Sequence, residues 1–195
     1  MKKTLCLALA LILLILPLAS CGEKIPYKTT KDVTNLVIID VKNYGKIVVE
    51  LYPEIAPETV ANFKKLVSEK FYDGLVFHRI ISGFMIQGGG YDANHRERDA
   101  ASIKGEFTSN GFQNDLKHTR GVISMARTSV PDSASSQFFI MHKDSAHLDG
   151  EYAAFGMTVF GLDVVDRIAS VKTSSTTNWP TQDIVIKSIR FAVAK

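Results

Sequence analysis

Short apolar and β-branched runs, each bounded by a turn signal, recur along the chain from residue 36 onward. The first two, 36–41 and 46–52, flank the turn-forming residues 43–45 and predict a β-hairpin. Runs of the same kind lie at 76–81, 84–87, 121–126, 137–141, 154–160 and 184–191. Many short strands with little helix between them predict a mainly β protein that closes into a barrel.

Two segments show the spacing of amphipathic helices. Pro57 can open the first helix, in which apolar residues recur three or four positions apart from Val60 to Val67. The second predicted helix spans 163–170. The long segment 88–114 lacks periodicity and predicts an irregular loop, and a loop of that length inside a compact domain is usually functional or mobile.

The N-terminus has the pattern of an export signal. Lys2 and Lys3 precede an apolar run at 5–16, which is shorter than the roughly 20 residues that a membrane-spanning helix needs. Residues 18–21, Leu-Ala-Ser-Cys, then resemble the lipobox of bacterial lipoproteins, in which the cysteine is acylated and the signal is cut before it. An ordinary cleavage site followed by an incidental cysteine is the alternative.

The lipobox predicts three segments: a signal peptide at 1–20, a lipid-anchored tether at 21–33 and a folded domain at 34–195. The tether is polar and lacks periodicity, and an ordered N-terminal arm packed on the domain is the alternative. Two or more acyl chains on Cys21 would anchor the protein stably. We therefore expect it outside the cytoplasm, on the outer face of the bacterial cell membrane or on another envelope membrane.

Several kinds of chemistry are excluded by what the sequence lacks. Cys6 lies in the signal and Cys21 is the expected lipid site, so the domain has no thiol for disulfides, catalysis or metal binding. None of the five histidines pairs with another at a helical metal-ligand spacing with an acid between them, so we predict no metal site. The net charge of +3 comes without a block of like charge, which argues against nucleic-acid binding.

One strand pair carries an unusual mixture of side chains. Arg79 lies on a predicted strand near Phe84 and Met85, and Gln87 shares a strand face with Met85 by period-two alternation. Such a surface offers apolar walls, a permanent cation and an amide, but no evident nucleophile. A core strand pair would explain these residues nearly as well when they are considered alone.

The segment 77–89 resembles the signature of the cyclophilins. Four later blocks at 121–126, 136–140, 147–150 and 155–156 match that family in order and spacing, so the likeness covers about 36–193. The resemblance implies an eight-stranded antiparallel β-barrel capped by two α-helices. It also implies catalysis of cis–trans rotation about X–Pro bonds, which needs no cofactor.

By this resemblance Arg79 is the catalytic arginine, and Gln87 bonds the substrate backbone. Ala126 and Arg127 occupy strand-end positions whose backbone contacts the peptide, with Gln137 beside them. The residues implied to line the proline pocket are Phe84, Met85, Phe139 and Leu148.

Five departures from the family pattern fall at the edge of the implied site, in its turn or in the following loop. Ser82 replaces a frequent proline in the turn of the signature. His147 stands where many cyclophilins carry tryptophan, and Tyr152 stands where many eukaryotic members have a pocket histidine. Gly90 replaces a frequent acid, and the segment 92–101 carries charge where glycines are common. We expect the chemistry to be intact but the loop geometry and the substrate preference to differ.

The leading hypothesis is an exported folding catalyst whose partners are proline-containing unfolded or flexible polypeptides. The same groove could belong to a proline-binding module or holdase chaperone in which turnover is incidental. A third possibility is a surface adhesion or scaffold protein that uses the charged loop 92–99. We expect the domain to act as a monomer.

Overall fold

The structure, a computed structural model, describes residues 25–195, so the signal at 1–20 and Cys21 lie outside the described residues. Within that range no helix is both long and apolar enough to cross a bilayer. The strands are β1 Tyr27–Thr29, β2 Leu36–Val41, β3 Gly45–Leu51, β4 Leu75–Ile81, β5 Met85–Asp92, β6 Val122–Met125, β7 Phe138–Met141, β8 Ala154–Phe160 and β9 Ile186–Ala194. The α-helices are α1 Pro57–Ser68 and α2 Leu162–Ala169, and short 3-10 turns lie at Thr108–Asn110 and Ala146–Leu148.

The strands form one antiparallel sheet in the order β1-β9-β2-β3-β8-β6-β7-β5-β4. The sheet curls so that its far edge, β4, meets the residues at the start of β9. Val76 and Val185 form an isolated bridge there, and the Gly74 N–H donates to the Ile186 carbonyl at 2.9 Å. Strands β2 to β9 are the eight antiparallel strands expected from the sequence, so the predicted barrel class with two helices is confirmed.

The ninth strand, β1, lies within the predicted tether at 21–33 and corrects that prediction for residues 27–29. Tyr27 and Thr29 pair with Ala194 and Ala192 on the outer edge of β9, and the Tyr27 ring meets the Phe160 ring edge-on at 6.5 Å. The ordered-arm alternative therefore holds for residues 27–29. The physical reason is that β9 would otherwise leave backbone groups unpaired, and a three-residue strand is too short to show periodicity in the sequence.

Both helices cover the barrel with the faces that their spacing predicts. In α1 the buried residues include Val60, Phe63, Leu66 and Val67. In α2 the buried residues are Val164, Val165, Ile168 and Ala169. The Phe63 ring lies against three others, those of Tyr72, Phe138 and Phe155, at centroid distances of 5.2, 5.6 and 5.3 Å. This aromatic cluster is the interior support of the strands that carry the site.

The long segment predicted as a loop is partly strand and partly tied to the barrel. Strand β5 continues to Asp92, beyond the predicted end at residue 87. Farther on, the buried carboxylate of Glu106 accepts the N–H groups of Glu58 and Thr59 at 3.0 and 2.8 Å, which caps the N-terminus of α1. Asn114 donates to the Glu106 and Ala154 carbonyls, each at 2.9 Å. These buried bonds hold an irregular backbone in place.

The charged loop 92–98 is clamped to the body of the protein at two points. The His95 ring stacks on the Trp179 ring with centroids 4.0 Å apart and planes 12° apart. The Arg98 guanidinium donates to the Phe71 carbonyl at 2.6 Å and lies 5.7 Å from the Phe71 ring centroid. The loop therefore has a defined position beside β5, although its sequence suggested only irregular structure.

His78 makes the stability of this face dependent on pH. Its side chain packs on Tyr91 and Trp179, and its Nδ1 has no hydrogen-bond partner within residues 25–195. Burial, helped by the charge of Arg79, lowers the pKa of His78 from 6.5 to about 4. The unfolded chain therefore takes up this proton near pH 6.5, while the folded protein resists it down to about pH 4.

We expect the contribution of His78 to the free energy of unfolding to be complete above pH 6.5 and to decrease between pH 6.5 and pH 4. The slope reaches at most about 1.4 kcal/mol per pH unit from this group. His118 adds to the loss because burial also lowers its pKa. Urea unfolding across this window, on the natural protein and His78→Phe, measures the effect. The variant should show a shallower slope, and equal slopes would contradict the assignment.

Candidate active site

The register of four neighbouring strands places a row of side chains across one face of the barrel. Arg79 on β4 lies opposite Gln87 on β5, Gln87 lies opposite Phe139 on β7, and Phe139 lies opposite Ser124 on β6. Residues directly opposite on antiparallel strands project to the same face. The Arg79 Nη1 donates to the Gln87 Oε1 at 3.2 Å. Residues that lie between positions 79 and 139 of the sequence thus form one continuous surface.

The turn between β4 and β5 adds the aromatic edge of this surface. The Phe84 N–H donates to the Ile81 carbonyl at 3.0 Å, and Gly83 adopts a φ of +78° that favours glycine. This tight turn directs the chain into Met85, which is 1% exposed and begins β5. The Phe84 ring stacks on His147 with centroids 5.6 Å apart.

These residues enclose an open cavity of about 440 Å³. Its walls combine buried apolar groups with the half-buried cation of Arg79. The lining residues are Arg79, Phe84, Met85, Gln87, Ala126, Arg127, Phe139, His147, Leu148, Glu151 and Tyr152. We call this cavity the main groove.

The main groove contains nine of the ten binding residues expected from the sequence, together with Arg79. The exception is Gln137, which lines an adjoining cavity. The Gln137 Oε1 accepts a hydrogen bond from the Gln87 Nε2 at 3.0 Å, which links it to the groove. Glu151 is the one lining residue that sequence reasoning missed. It follows Gly150 in a turn, and no pattern of residue types distinguishes it from an ordinary surface acid.

A family model described as cyclophilin type peptidyl-prolyl cis-trans isomerase/CLD matches residues 36–191. The chain belongs to this family. It is 48% identical over 157 residues to a peptidyl-prolyl cis-trans isomerase of Acinetobacter baylyi, a match that covers 76% of this chain and 81% of the relative. It is 40% identical over 158 residues to peptidyl-prolyl cis-trans isomerase B of Escherichia coli, covering 75% and 94% of the two chains.

Solved cyclophilins share the fold. The crystal structure of a Cryptosporidium parvum cyclophilin type peptidyl-prolyl cis-trans isomerase, determined in the presence of the dipeptide Ala-Pro, matches with a TM-score of 0.68 at 30% identity. That match covers 80% of this chain and 98% of the other. The cyclophilin AquaCyp293 from Hirschia baltica matches with a TM-score of 0.67, covering 84% and 75%. The chain is accordingly a peptidyl-prolyl cis-trans isomerase.

The two arginines of this cyclophilin's main groove differ in how fully their guanidinium groups are hydrogen-bonded. Arg127 lies between the Phe107 and Tyr152 rings, 4.8 and 4.7 Å from their centroids, and donates twice to the Glu151 carbonyl. Its guanidinium is therefore engaged as part of the wall. Arg79 makes no ion pair within residues 25–195 and bonds to the neutral amide of Gln87. Most donors of Arg79 are thus left for another acceptor.

A buried histidine supports the groove from behind. The His118 ring stacks on Phe139 at 6.1 Å, and its two nitrogens lie 3.2 Å from the Asp149 Oδ1 and 3.1 Å from the Ser124 Oγ. Burial lowers the pKa of His118, partly opposed by Asp149. With both ring nitrogens engaged, this histidine holds the Phe139 wall. No cluster of three potential metal ligands occurs in residues 25–195.

Proposed function

We propose that this isomerase accelerates X–Pro rotation in exported proteins while a lipid on Cys21 holds it at the outer face of a membrane, and that Arg79 is its catalytic residue. The catalytic part of the proposal is carried by one observation. Arg79, most of whose donors have no partner within residues 25–195, faces a partly apolar cavity that is large enough for a proline ring.

The chemistry follows from the bond that must rotate. Partial double-bond character gives the peptide C–N bond a rotational barrier of about 18–20 kcal/mol. When the bond twists, conjugation is lost and the prolyl nitrogen becomes pyramidal and basic. A guanidinium donor from Arg79 bonds to that nitrogen strongly in the twisted state and weakly in the planar one. Only such a difference in binding lowers the barrier.

The apolar residues of the main groove have a complementary role. Met85, Phe139 and Leu148 are each less than 10% exposed and offer a dry surface to the proline ring. A ring held there stays fixed while the other side of the bond turns. Low local polarity also strengthens the hydrogen bond from Arg79. In this proposal Gln87 and the backbone at Ala126 bond the substrate backbone and keep it in register.

The proposed location rests on the sequence pattern at 1–21. Uncatalysed X–Pro isomerisation takes roughly 10–100 s at 25 °C, which is slow enough to limit folding after export. The ordered strand β1 limits the length of the anchor. Six peptide units separate Cys21 from Tyr27, so the chain between them reaches at most about 20 Å. A lipid on Cys21 would keep the barrel within that distance of the bilayer.

Replacing the cysteine tests the anchor. In Cys21→Ser the full chain should lose its lipid and move from the membrane fraction to the soluble extracytoplasmic fraction, or keep an uncut signal. Incorporation of labelled palmitate and fractionation measure this. Cys6→Ser is the matched control, because it removes the other thiol. It should leave palmitate incorporation and the membrane fractionation unchanged. Lipid labelling that persists in Cys21→Ser would overturn the anchor without affecting the assigned activity.

A further inference from the structure

A second, smaller cavity adjoins the main groove on the side of the charged loop. Its volume is about 190 Å³. It shares Gln87, Ala126 and Arg127 with the main groove, so a peptide that lies in one can extend a side chain into the other. The residues that line it are Gln87, Glu97, Asp99, Ala126, Arg127, Thr128, Ser133, Ser135 and Gln137.

Two carboxylates from the loop give this second cavity its charge. Glu97 accepts a hydrogen bond from the Tyr91 hydroxyl at 3.3 Å, and neither Glu97 nor Asp99 forms an ion pair in the part of the chain that the structure describes. The arginines that alternate with them are engaged elsewhere. Arg96 pairs with Asp92 at 3.3 Å, and Arg98 bonds to the Phe71 carbonyl.

The one cation among the lining residues is also committed. Arg127 donates to the Thr128 and Glu151 carbonyls at 2.9–3.0 Å and lies between two aromatic rings. Its donors are therefore satisfied by groups other than Glu97 and Asp99. Burial raises the pKa of Tyr91, and the nearby charges of Glu97 and Asp99 raise it further.

The loop is held in the geometry that presents these acids. The Arg98 N–H donates to the Gly90 carbonyl at 2.8 Å, and Tyr91 and Glu97 form an isolated antiparallel bridge. Gly90 also leaves room for Gln137, whose Cγ lies 2.5 Å from where a Cβ would stand. A larger residue at position 90 would displace Gln137 from its place between the two cavities.

We propose that Glu97 and Asp99 select substrates that carry a lysine or arginine within about three residues of the proline, with the basic side chain entering the second cavity. The proposal rests on the main groove being where the proline binds. The two carboxylates have no ion pair within residues 25–195, and Arg127, the cation that lines the same cavity, pairs with Glu151 instead. Their charge therefore favours a cationic side chain and repels an anionic one. The acids lie at the exposed rim, so the preference should weaken as salt increases.

Protease-free isomerisation measurements on the full chain in detergent test the preference. The peptides carry lysine, glutamine or glutamate at one position at a time, up to about three residues on either side of the proline. At the responsive position we expect kcat/KM for lysine to exceed that for glutamate by about three- to tenfold at low salt. In the double variant Glu97→Gln, Asp99→Asn the ratio should fall to about one.

The control variant removes two acids that line neither cavity, Glu54→Gln with Glu69→Gln, and should retain the ratio. A ratio near one in the natural protein at every position, or an unchanged ratio in the Glu97 and Asp99 variant, would overturn the proposal. Absence of turnover with all three peptides would instead count against the main groove as the catalytic site.

Discussion

Arg79→Ala should lose about 10²- to 10³-fold in kcat/KM for a proline peptide, the range seen when one donor to a developing charge is removed from an enzyme. The loss should fall mainly on kcat, because the proposed bond from Arg79 to the prolyl nitrogen is strong in the twisted state and weak in the planar one. Arg79→Lys keeps the charge but not the rigid array of donors, so an intermediate loss is expected. Direct isomerisation kinetics measure all three proteins.

The matched control is Arg167→Ala, which removes an arginine from α2 that pairs with Asp163 on the same helix. Its activity should equal that of the natural protein. Thermal unfolding of each variant separates loss of activity from loss of fold. Less than about a tenfold effect of Arg79→Ala would remove Arg79 from the catalytic role.

The same variant separates a folding catalyst from a holdase. A holdase needs the groove to bind proline segments but does not need rotation to be accelerated. If Arg79→Ala lost turnover, kept its affinity for an unfolded client and still supported the cellular role of the protein, catalysis would not be that role. We expect the cellular role to be lost together with turnover.

Phe138→Ala should reduce the free energy of unfolding by about 3–5 kcal/mol, which is a large part of what a domain of this size has. Phe138 is fully buried, and its ring packs edge-on against Phe63, Tyr72 and Phe77 at 5.6, 5.5 and 6.0 Å. Truncation would leave a cavity inside a cluster that the barrel strands and α1 share. Urea unfolding near neutral pH measures the loss.

Phe112→Ala is the control for Phe138, because Phe112 is only half-buried and truncating it should cost much less. A loss below about 1 kcal/mol for Phe138→Ala would contradict its place at the centre of the core. The folded fraction of Phe138→Ala should still turn over substrate. Phe138 points into the barrel, whereas the adjacent Phe139 belongs to the main groove.

The strand pattern of this protein could be predicted because the alternation and spacing of apolar residues are local properties of the sequence. Alternation of side chains places Met85 and Gln87 on one face, and the spacing of apolar residues in α1 marks the buried stripe. The match in several separate blocks then indicated which residues share a groove. The residues so predicted, from Arg79 to Tyr152, line the main groove with the exception of Gln137.

What could not be predicted depends on contacts between distant parts of the chain. Strand β1 exists because the edge of β9, more than 150 residues later, offers unpaired backbone groups. Glu106 caps α1 from 47 residues away. The 92–98 loop is positioned by Trp179, and no local rule links a histidine to a tryptophan so far along the sequence.

By itself the sequence determined the fold class, the family and most of the residues that line the main groove, since periodicity and motif spacing are properties of neighbouring residues. Only the tertiary structure decided that the arm 27–29 joins the barrel. It decided that Arg127 is engaged, while the Arg79 side chain bonds only to Gln87 among residues 25–195. It also decided that Glu97 and Asp99 face a cavity beside the groove. Register, loop placement and charge pairing are set by long-range contacts, and their partners appear only when the chain is folded.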